Sequence, residues 1–570
     1  MADPRGRKTN VTIARAEGQP LDAKPRLLTE MFEATAARHP EWNAIDFLGA
    51  KTSWRALKAQ VDRVAAGLQG LGLQVGGRVG LCLPNTPHYP ILFLAVLKAG
   101  GVVVNINPLY VERELRHLMA DSGLDIVATC DLPDVHARVS AIASELGVRH
   151  VVTCPIAEGL PWRKQIAYRL LRRRDIAPAV VDKRHLPFAK LASWAGLITP
   201  VDLVPDALAV LQYTGGTTGH PKAAMLSHAN LVAQADAAAL HIKSSDQHQA
   251  RVMGVLPLFH VFALTTVLGV ALRIGAEMIL LPRFELKQAL KSMARTRPTY
   301  LPAVPTIFHA IAKVAERQPL DLSTIETCIS GGAPLPAEVH EAFTRHTGGR
   351  LVEGYGLSEA SPIITCNPID DLGKAGSAGR PFPGTLIEIR DTEAPHALKM
   401  LGEPGEICAR GPQVMRGYWN RPEDTRQVFC EGALRTGDVG YLDEDGYLFI
   451  IDRIKDVILC GGYNVYPRVI EEALYEHPAV AEAVVVGIPH PYRGQCPKAY
   501  VTLKPDRLVA EADLLAFLRD KVSKIELPAA VEIRESLPKT LIGKLSKKEL
   551  VAEELQKAAE RQAETVGGAR

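Results

Sequence analysis

The 570-residue chain shows no pairing pattern among its nine cysteines, which stand at positions 82, 130, 154, 328, 366, 408, 430, 460 and 496. They are odd in number, scattered and never in C-x-x-C spacing, which argues against a disulfide scaffold and a zinc ribbon. Such usage suits a reducing compartment, and a cytoplasmic location is the expectation. Charge of one sign is also missing: 66 basic against 63 acidic residues leave a formal +3, so nucleic acid is not expected as a partner. The first 26 residues are polar and basic without an apolar core, which does not fit a secretory leader. No internal repeat or low-complexity tract appears. The one long apolar run, residues 252–272, has His260 as its only ionisable group and is long enough to span a bilayer. Pro257, Gly254 and Gly269 interrupt it and Arg273 and Glu277 follow, so a buried strand, loop and helix are expected there instead.

What is present is an ordinary globular balance, 47% hydrophobic against 23% charged, in a chain long enough for about three or four lobes at roughly 150 residues each. After a helical pattern at 26–38 and a second helix capped by Thr52 or Ser53, short apolar runs at 78–83, 102–105, 126–129 and 151–153 alternate with helical stretches. Such alternation predicts an α/β fold with parallel, doubly wound sheets. It resumes at 251–256, 277–281, 299–304, 324–330 and 350–354. From about 373 to 451 the texture turns to short runs with frequent Gly and Pro, predicting an antiparallel β lobe. A small α+β pattern closes the chain. The expected division is a polar extension (1–26), a large N-terminal domain (27–452), a hinge (453–455) and a small, mobile C-terminal domain (456–570). Residues 162–174 break the rhythm with six basic residues among apolar ones; a solvated charged helix and a basic amphipathic helix on an anionic membrane are the two readings.

The most pointed segment is 213–228, Tyr-Thr-Gly-Gly-Thr-Thr-Gly-His-Pro-Lys-Ala-Ala-Met-Leu-Ser-His. Gly215, Gly216 and Gly219 permit positive φ and a close approach of backbone N–H groups to a polyanion. Thr214, Thr217 and Thr218 add hydroxyls, and Lys222 adds a charge. An apolar run from Leu208 leads in and Ser227 can cap a helix beginning near Asn230, so the expected layout is strand, glycine loop, helix. The lysine spacing is not that of a P-loop, and G-x-G-x-x-G is absent; a plain Gly/Thr surface turn is the competing reading.

Further polar clusters follow: Ser330-Gly-Gly-Ala-Pro, Val352-Glu-Gly-Tyr-Gly-Leu-Ser-Glu-Ala-Ser-Pro, and Arg435-Thr-Gly-Asp-Val-Gly-Tyr. Each alone reads as a turn. In this order, with Pro257-Leu-Phe-His-Val-Phe-Ala, the 405–419 segment, Asp452-Arg-Ile-Lys-Asp, Gly462-Tyr-Asn-Val-Tyr-Pro and Leu537-Pro-Lys-Thr-Leu-Ile-Gly-Lys, the chain resembles the adenylate-forming acyl-CoA synthetases. Within them it looks most like the bacterial long-chain fatty-acid–CoA ligases.

The resemblance implies ATP-dependent conversion of a fatty acid to acyl-AMP, then acyl transfer to the thiol of CoA, with Mg²⁺ as cofactor. A carboxylate of ordinary pKa, ~4–5, is already ionised and needs no general base, so charge neutralisation and alignment are the requirement. By resemblance, Thr214 to Gly219 and Lys222 hold the β- and γ-phosphates, Glu359 binds Mg²⁺ and Ser358 touches phosphate. Tyr355 stacks on adenine in a pocket walled by Gly331, Gly332 and Ala333, with Glu353, Gly354 and Gly356 in the same motif. Asp438 accepts from the ribose and Arg453 assists. Lys544 is the catalytic lysine, bridging carboxylate and α-phosphate oxygens as charge builds. Lys455 takes the hinge position, and Gly461, Gly462 and Tyr463 face the pantetheine channel. His260, Val304, Gly331 and Leu357 are expected at the acyl pocket, although a lone His in an apolar run is also an ordinary core residue.

Three positions depart from the family pattern: Ala223 where Gly is usual, Arg468 in place of an acidic-first run, and Gln495 where a carboxylate is common. Three alternatives stay open: a fatty acyl-AMP ligase loading a carrier protein, a CoA ligase for dicarboxylic or aryl acids, and a non-catalytic lipid-binding protein. The partner expectations are fatty acid, ATP and CoA, peripheral contact with the inner face of an anionic membrane, and a homodimer.

Overall fold

The computed structural model describes residues 13–15, 26–178, 180, 182–214, 221–242, 247–369, 373–460, 463–490, 492–505, 507–539 and 545–567. Two parallel sheets make the bulk of it. In the first the strand order is Lys222–Ser227, Leu208–Thr214, Val102–Asn105, Arg78–Cys82, Ile126–Cys130, His150–Cys154 and His185–Pro187. All pairs are parallel but the first, which is antiparallel. The second sheet runs Arg380–Pro381, Ile363–Cys366, Arg350–Gly356, Thr327–Gly331, Tyr300–Ala303, Arg251–Gly254, Glu277–Leu280, Asn43–Phe47 and Ala50–Ser53. Its inner strands are parallel, and antiparallel strands close both edges. The inner strands are almost wholly buried, which is why they appear in sequence as unbroken apolar runs.

One apolar core spans both sheets and their helices, with Phe32, Trp54, Phe93, Tyr300 and Phe308 among its fully buried members. Polar side chains stitch the sheets together where they meet. Asn85 Nδ2 donates to the carbonyls of Gly254 and Leu256, and its Oδ1 accepts from Leu258 N at 2.7 Å. With three bonds at a 3%-exposed site, this amide replaces its lost water and fixes where one sheet sits on the other.

The run at 252–272 resolves as expected, into the strand Arg251–Gly254, a loop, and a helical stretch from Val261 whose centre, Leu264–Gly269, is a π-helix. Among the described residues no helix is long and apolar enough to cross a membrane. Ser53 caps the helix Trp54–Gly70 by accepting from Ala56 N at 3.2 Å. The helix Trp162–Leu171 has no buried residue at all.

The predicted β lobe is present: Leu386–Arg390, Gly405–Arg410, Ala433–Leu442, Phe429–Cys430 and Leu448–Arg453 form an antiparallel sheet. The N-terminal stretch needs correction, because Ile13–Arg15 pairs with Leu386–Arg390 and adds a strand to this lobe. After Arg453 and a turn at Ile454–Asp456 a different sheet begins at Ile458–Cys460, built on its own apolar cluster around Ile470, Leu474, Val485, Val501 and Leu514.

Candidate nucleotide and acyl site

The expected order strand, glycine loop, helix is incomplete. Lys222–Ser227 is a strand, antiparallel to Leu208–Thr214, so the two flanks of the glycine segment pair as a hairpin. Ser227 then caps a helix that starts at His228, two residues before the expected place, accepting from Asn230 N at 3.1 Å while Asn230 Oδ1 accepts from Ser227 N. Ala223 consequently sits within the strand, fully buried opposite Tyr213, where it stiffens no turn. Gly215, Gly216, Thr217, Thr218 and Gly219 lie outside the described residues, as do Gly461, Gly462 and Lys544.

The hairpin is held at both sides. Tyr213 donates its hydroxyl to Asp121 Oδ2 at 2.7 Å, and Asp121 Oδ1 also takes the Arg421 guanidinium at 3.0 Å. Along the outer strand, Met225 N donates to Gly417 O and Trp419 N to Ala223 O, both at 2.9 Å, so the 415–419 segment covers it through a short antiparallel bridge at Ala224 and Tyr418. That segment delivers Tyr418, whose hydroxyl donates to Glu359 Oε1 at 2.8 Å. Burial and the Glu359 charge hold the phenol well above its usual pKa, so it stays a donor. Lys222 Nζ lies 5.6 Å from the Tyr418 ring centroid and pairs with Asp424 Oδ1 at 2.5 Å. A line of contacts thus leads from the glycine hairpin to Glu359.

Glu359 stands in a short turn, Ser358–Ala360, that follows the strand Arg350–Gly356. Gly356 permits the crossing there, because a Cβ would lie 1.9 Å from Pro362 O. Next door, the strand Thr327–Gly331 ends in Gly332 at φ 84°, a conformation that favours glycine, and Ala333 follows. The two strands run in parallel register, Ser330 beside Glu353 and Gly331 beside Gly354. Glu353 accepts from Leu335 N at 3.4 Å, and burial, offset in part by Arg468, pushes its carboxyl up to about 7.

On the other side of the Gly356 turn, Tyr355 donates its hydroxyl to Asp438 Oδ2 at 2.5 Å, and Arg453 Nε reaches Asp438 Oδ1 at 3.2 Å. Arg453 and Asp438 are direct partners across neighbouring lobe strands. Contacts therefore connect Thr214 and Lys222, at the end of the first sheet, through Tyr418 to Glu359 beside Ser358, and Tyr355, three residues before Ser358, to Asp438 and Arg453 in the β lobe.

The apolar candidates lie beside it. Phe259 O accepts from Gln212 Nε2 in the hairpin's inner strand at 3.2 Å, which puts His260 next to that strand. His260 Nδ1 accepts from Phe262 N at 3.3 Å and caps the turn there. Phe262 presses on Gly331, where a Cβ would stand 3.0 Å from its ring. Val304 precedes the helix Pro305–Ala315, and Leu357 is half-buried against the core. Lys455 falls in the turn after Arg453, and Tyr463 is exposed in the following sheet. At the departure Gln495, Oε1 accepts from Leu459 N at 3.1 Å. Tyr418 and Asp424 were not singled out by sequence reasoning. Tyr418 lay inside a recognised motif, whereas Asp424 had no signal beyond its place after Pro422.

Asp121 and Asp424 are each tied to a side chain of the hairpin, Glu359 takes the Tyr418 hydroxyl, and among the described residues no group of three His, Cys, Asp or Glu side chains gathers to cage a metal. That donor set suits Mg²⁺, which keeps several waters and takes one or two protein carboxylates together with substrate phosphates.

Comparison with known proteins follows the same line. The family model described as AMP-binding enzyme matches residues 32–419, and that described as AMP-binding enzyme C-terminal domain matches 469–544. The chain is 41% identical to a long-chain-fatty-acid–CoA ligase of Bacillus subtilis, over 93% of this chain and 95% of that one. It is 37% identical to a protein of the same name from Escherichia coli O6:H1, over 92% and 94%. Among solved structures, ATP-bound MatB from Rhodopseudomonas palustris superposes with a TM-score of 0.80 at 31% identity, covering 92% of this chain and 98% of that one. With a family model over well more than half its length and relatives above 30% identity along nearly all of it, the chain belongs to the AMP-binding enzyme family.

Proposed function

We propose that this enzyme activates a medium- or long-chain fatty acid with ATP, forming acyl-AMP and releasing pyrophosphate, and then passes the acyl group to the thiol of CoA. The observation that carries the reading is the run of contacts from Lys222 through Tyr418 to Glu359 and, on the strand leading to it, from Tyr355 through Asp438 to Arg453. Thr214, Lys222 and the glycine tip would hold the β- and γ-phosphates, Ser358 would touch phosphate, Tyr355 would cover adenine and Asp438 with Arg453 would bind the ribose. Glu359, oriented by Tyr418, would hold Mg²⁺, which supplies charge neutralisation at the phosphates when bound. The acyl chain would lie between His260, Phe262, Val304 and Gly331. No general base is required; Lys544 would bridge carboxylate and α-phosphate as negative charge accumulates.

The sheet change between Arg453 and Ile458 supports reading 453–455 as a hinge between a domain 27–452 and a C-terminal domain, with Lys455 at the pivot and Tyr463 toward the CoA channel. Peripheral contact with an anionic membrane and self-pairing are separate proposals. The test separates the half-reactions. Pyrophosphate release with palmitate, ATP and Mg²⁺ should fall about a thousandfold or more in Lys544→Ala, while supplied acyl-AMP plus CoA is still converted. An unchanged release rate would overturn the assignment. Acyl-CoA, read by mass spectrometry with and without CoA present, distinguishes this enzyme from one that loads a carrier protein.

A further inference from the structure

The helix Trp162–Leu171 is amphipathic in an inverted sense: none of its residues is buried, and its large apolar side chains face out. Trp162, Ile166 and Leu170, spaced four apart, form one stripe at 66%, 52% and 74% exposure, and Leu171 beside them reaches 82%. The opposite side holds the helix to the body through half-buried Gln165 and Tyr168, and Lys164 Nζ donates to Leu48 O at 2.7 Å. Arg163 projects within the apolar stripe with its guanidinium 5.1 Å from the Trp162 ring centroid, and Arg169, Arg172, Arg173 and Arg174 surround it. Residues 162–174 carry six basic side chains and no acid. Among the described residues, Arg172 of this run pairs with Asp175 at 3.1 Å.

Water alone gives no reason to hold such a face outward, since covering each large apolar side chain is favourable by about 1.5–3 kcal/mol. The charge pattern selects what covers it. A second copy meeting this face about a two-fold axis would set arginine against arginine. A nucleic acid would satisfy the arginines and leave the leucines wet. An anionic lipid surface satisfies both, with Trp162 at headgroup level, Leu170 and Leu171 at the acyl boundary and the guanidiniums on phosphates. We propose that this helix docks the protein on anionic membrane from one side, as a peripheral contact with no segment crossing the bilayer. The use of such docking for collecting an acyl substrate rests on the function proposed above; the docking itself does not.

The test is sedimentation of the full chain with zwitterionic phosphatidylcholine vesicles and with vesicles containing about one third phosphatidylglycerol, without nucleotide or fatty acid. The chain should sediment with the anionic vesicles alone and be released as salt rises toward 0.5 M. The triple variant Arg172→Gln, Arg173→Gln, Arg174→Gln should lower partitioning roughly a hundredfold, and Trp162→Ser with Leu170→Ser and Leu171→Ser should lower it comparably. Both sets lie on the surface, so thermal unfolding and pyrophosphate release with water-soluble octanoate should stay at the parent level. Sedimentation unaffected by either set overturns the proposal. So does arginine-dependent binding to an RNA oligonucleotide in place of vesicles, or a dimer in analytical ultracentrifugation that the serine variants dissolve. If octanoate-dependent release is absent while vesicle binding behaves as stated, the function reading fails and the docking surface stands.

Discussion

The two parallel sheets reach the site in related ways and serve it differently. In each, a parallel strand arrives from the core and an antiparallel partner follows: Leu208–Thr214 with Lys222–Ser227 in one, Arg350–Gly356 with Ile363–Cys366 in the other. In the first sheet the connection is a loop of glycine, threonine and histidine at an edge, and its flanking lysine is held by Asp424, some two hundred residues away. In the second the connection lies inside the sheet, packed so closely that Gly356 has no room for a methyl group. The contrast separates charge from shape: Lys222 beside the first and Glu359 within the second carry charge, while Gly356 sets the path of the backbone. Substitutions at the charged side chains should change catalytic constants and leave folding alone, and substitution at the close-packed Gly356 should do the reverse.

Within these two connections the largest effect expected is at Glu359, which stands in the second and meets the first through Tyr418. Glu359→Gln keeps the hydrogen bond and removes the charge, so pyrophosphate release should fall by about two to three orders of magnitude with thermal stability unchanged. A loss of melting temperature in step with activity would break the division of labour. Gly356→Ala should destabilise by about 3 kcal/mol or more in denaturant titration, because a buried carbonyl must move to admit the new carbon.

His228, at the end of the hairpin, adds a pH dependence. Its ring is buried, Nδ1 accepts from Leu28 N, and burial lowers its pKa to about 4. The unfolded chain binds this proton near 6.5 and the folded chain only near 4. The stability it confers is therefore complete above pH 6.5 and is lost as pH falls through that window. Parent and His228→Gln should differ in acid sensitivity by at most about 3 kcal/mol between pH 7 and pH 4, measured by urea unfolding. The smallest effect belongs to Lys222→Ala. It should raise KM for ATP about tenfold, with less change in kcat and no change in melting temperature, since on the proposed function the lysine would meet phosphate in ground and transition states alike.

The sequence disclosed the elements whose partners are close or whose chemistry is repetitive. Buried parallel strands announce themselves as short runs of Val, Ile and Leu, and the Ser53 and Ser227 caps stand next to the helices they start. The strand Lys222–Ser227 was not legible, because Lys-Ala-Ala-Met-Leu-Ser has no strand-like alternation and one of its two neighbours is the 415–419 segment, far along the chain. Ile13–Arg15 was hidden for the same reason: only the lobe edge at Leu386–Arg390 makes a strand of it. At the site, Tyr355, Glu359, Asp438 and Arg453 could be named from motifs. Their coupling through Tyr418 and Asp424 depends on how the β lobe packs on the first sheet, which no local pattern encodes.

That packing also bears on how the protein can be divided. The outer strand of the glycine hairpin would be a bare sheet edge if it were not covered by the 415–419 segment, and uncovered edges recruit other chains. A fragment cut before the β lobe, though it would contain both parallel sheets, would expose Ala223 and Met225 backbone groups for intermolecular pairing. The lobe thus shields the outer strand of the glycine hairpin, and the shortest soluble unit holding that strand is expected to extend at least through Trp419.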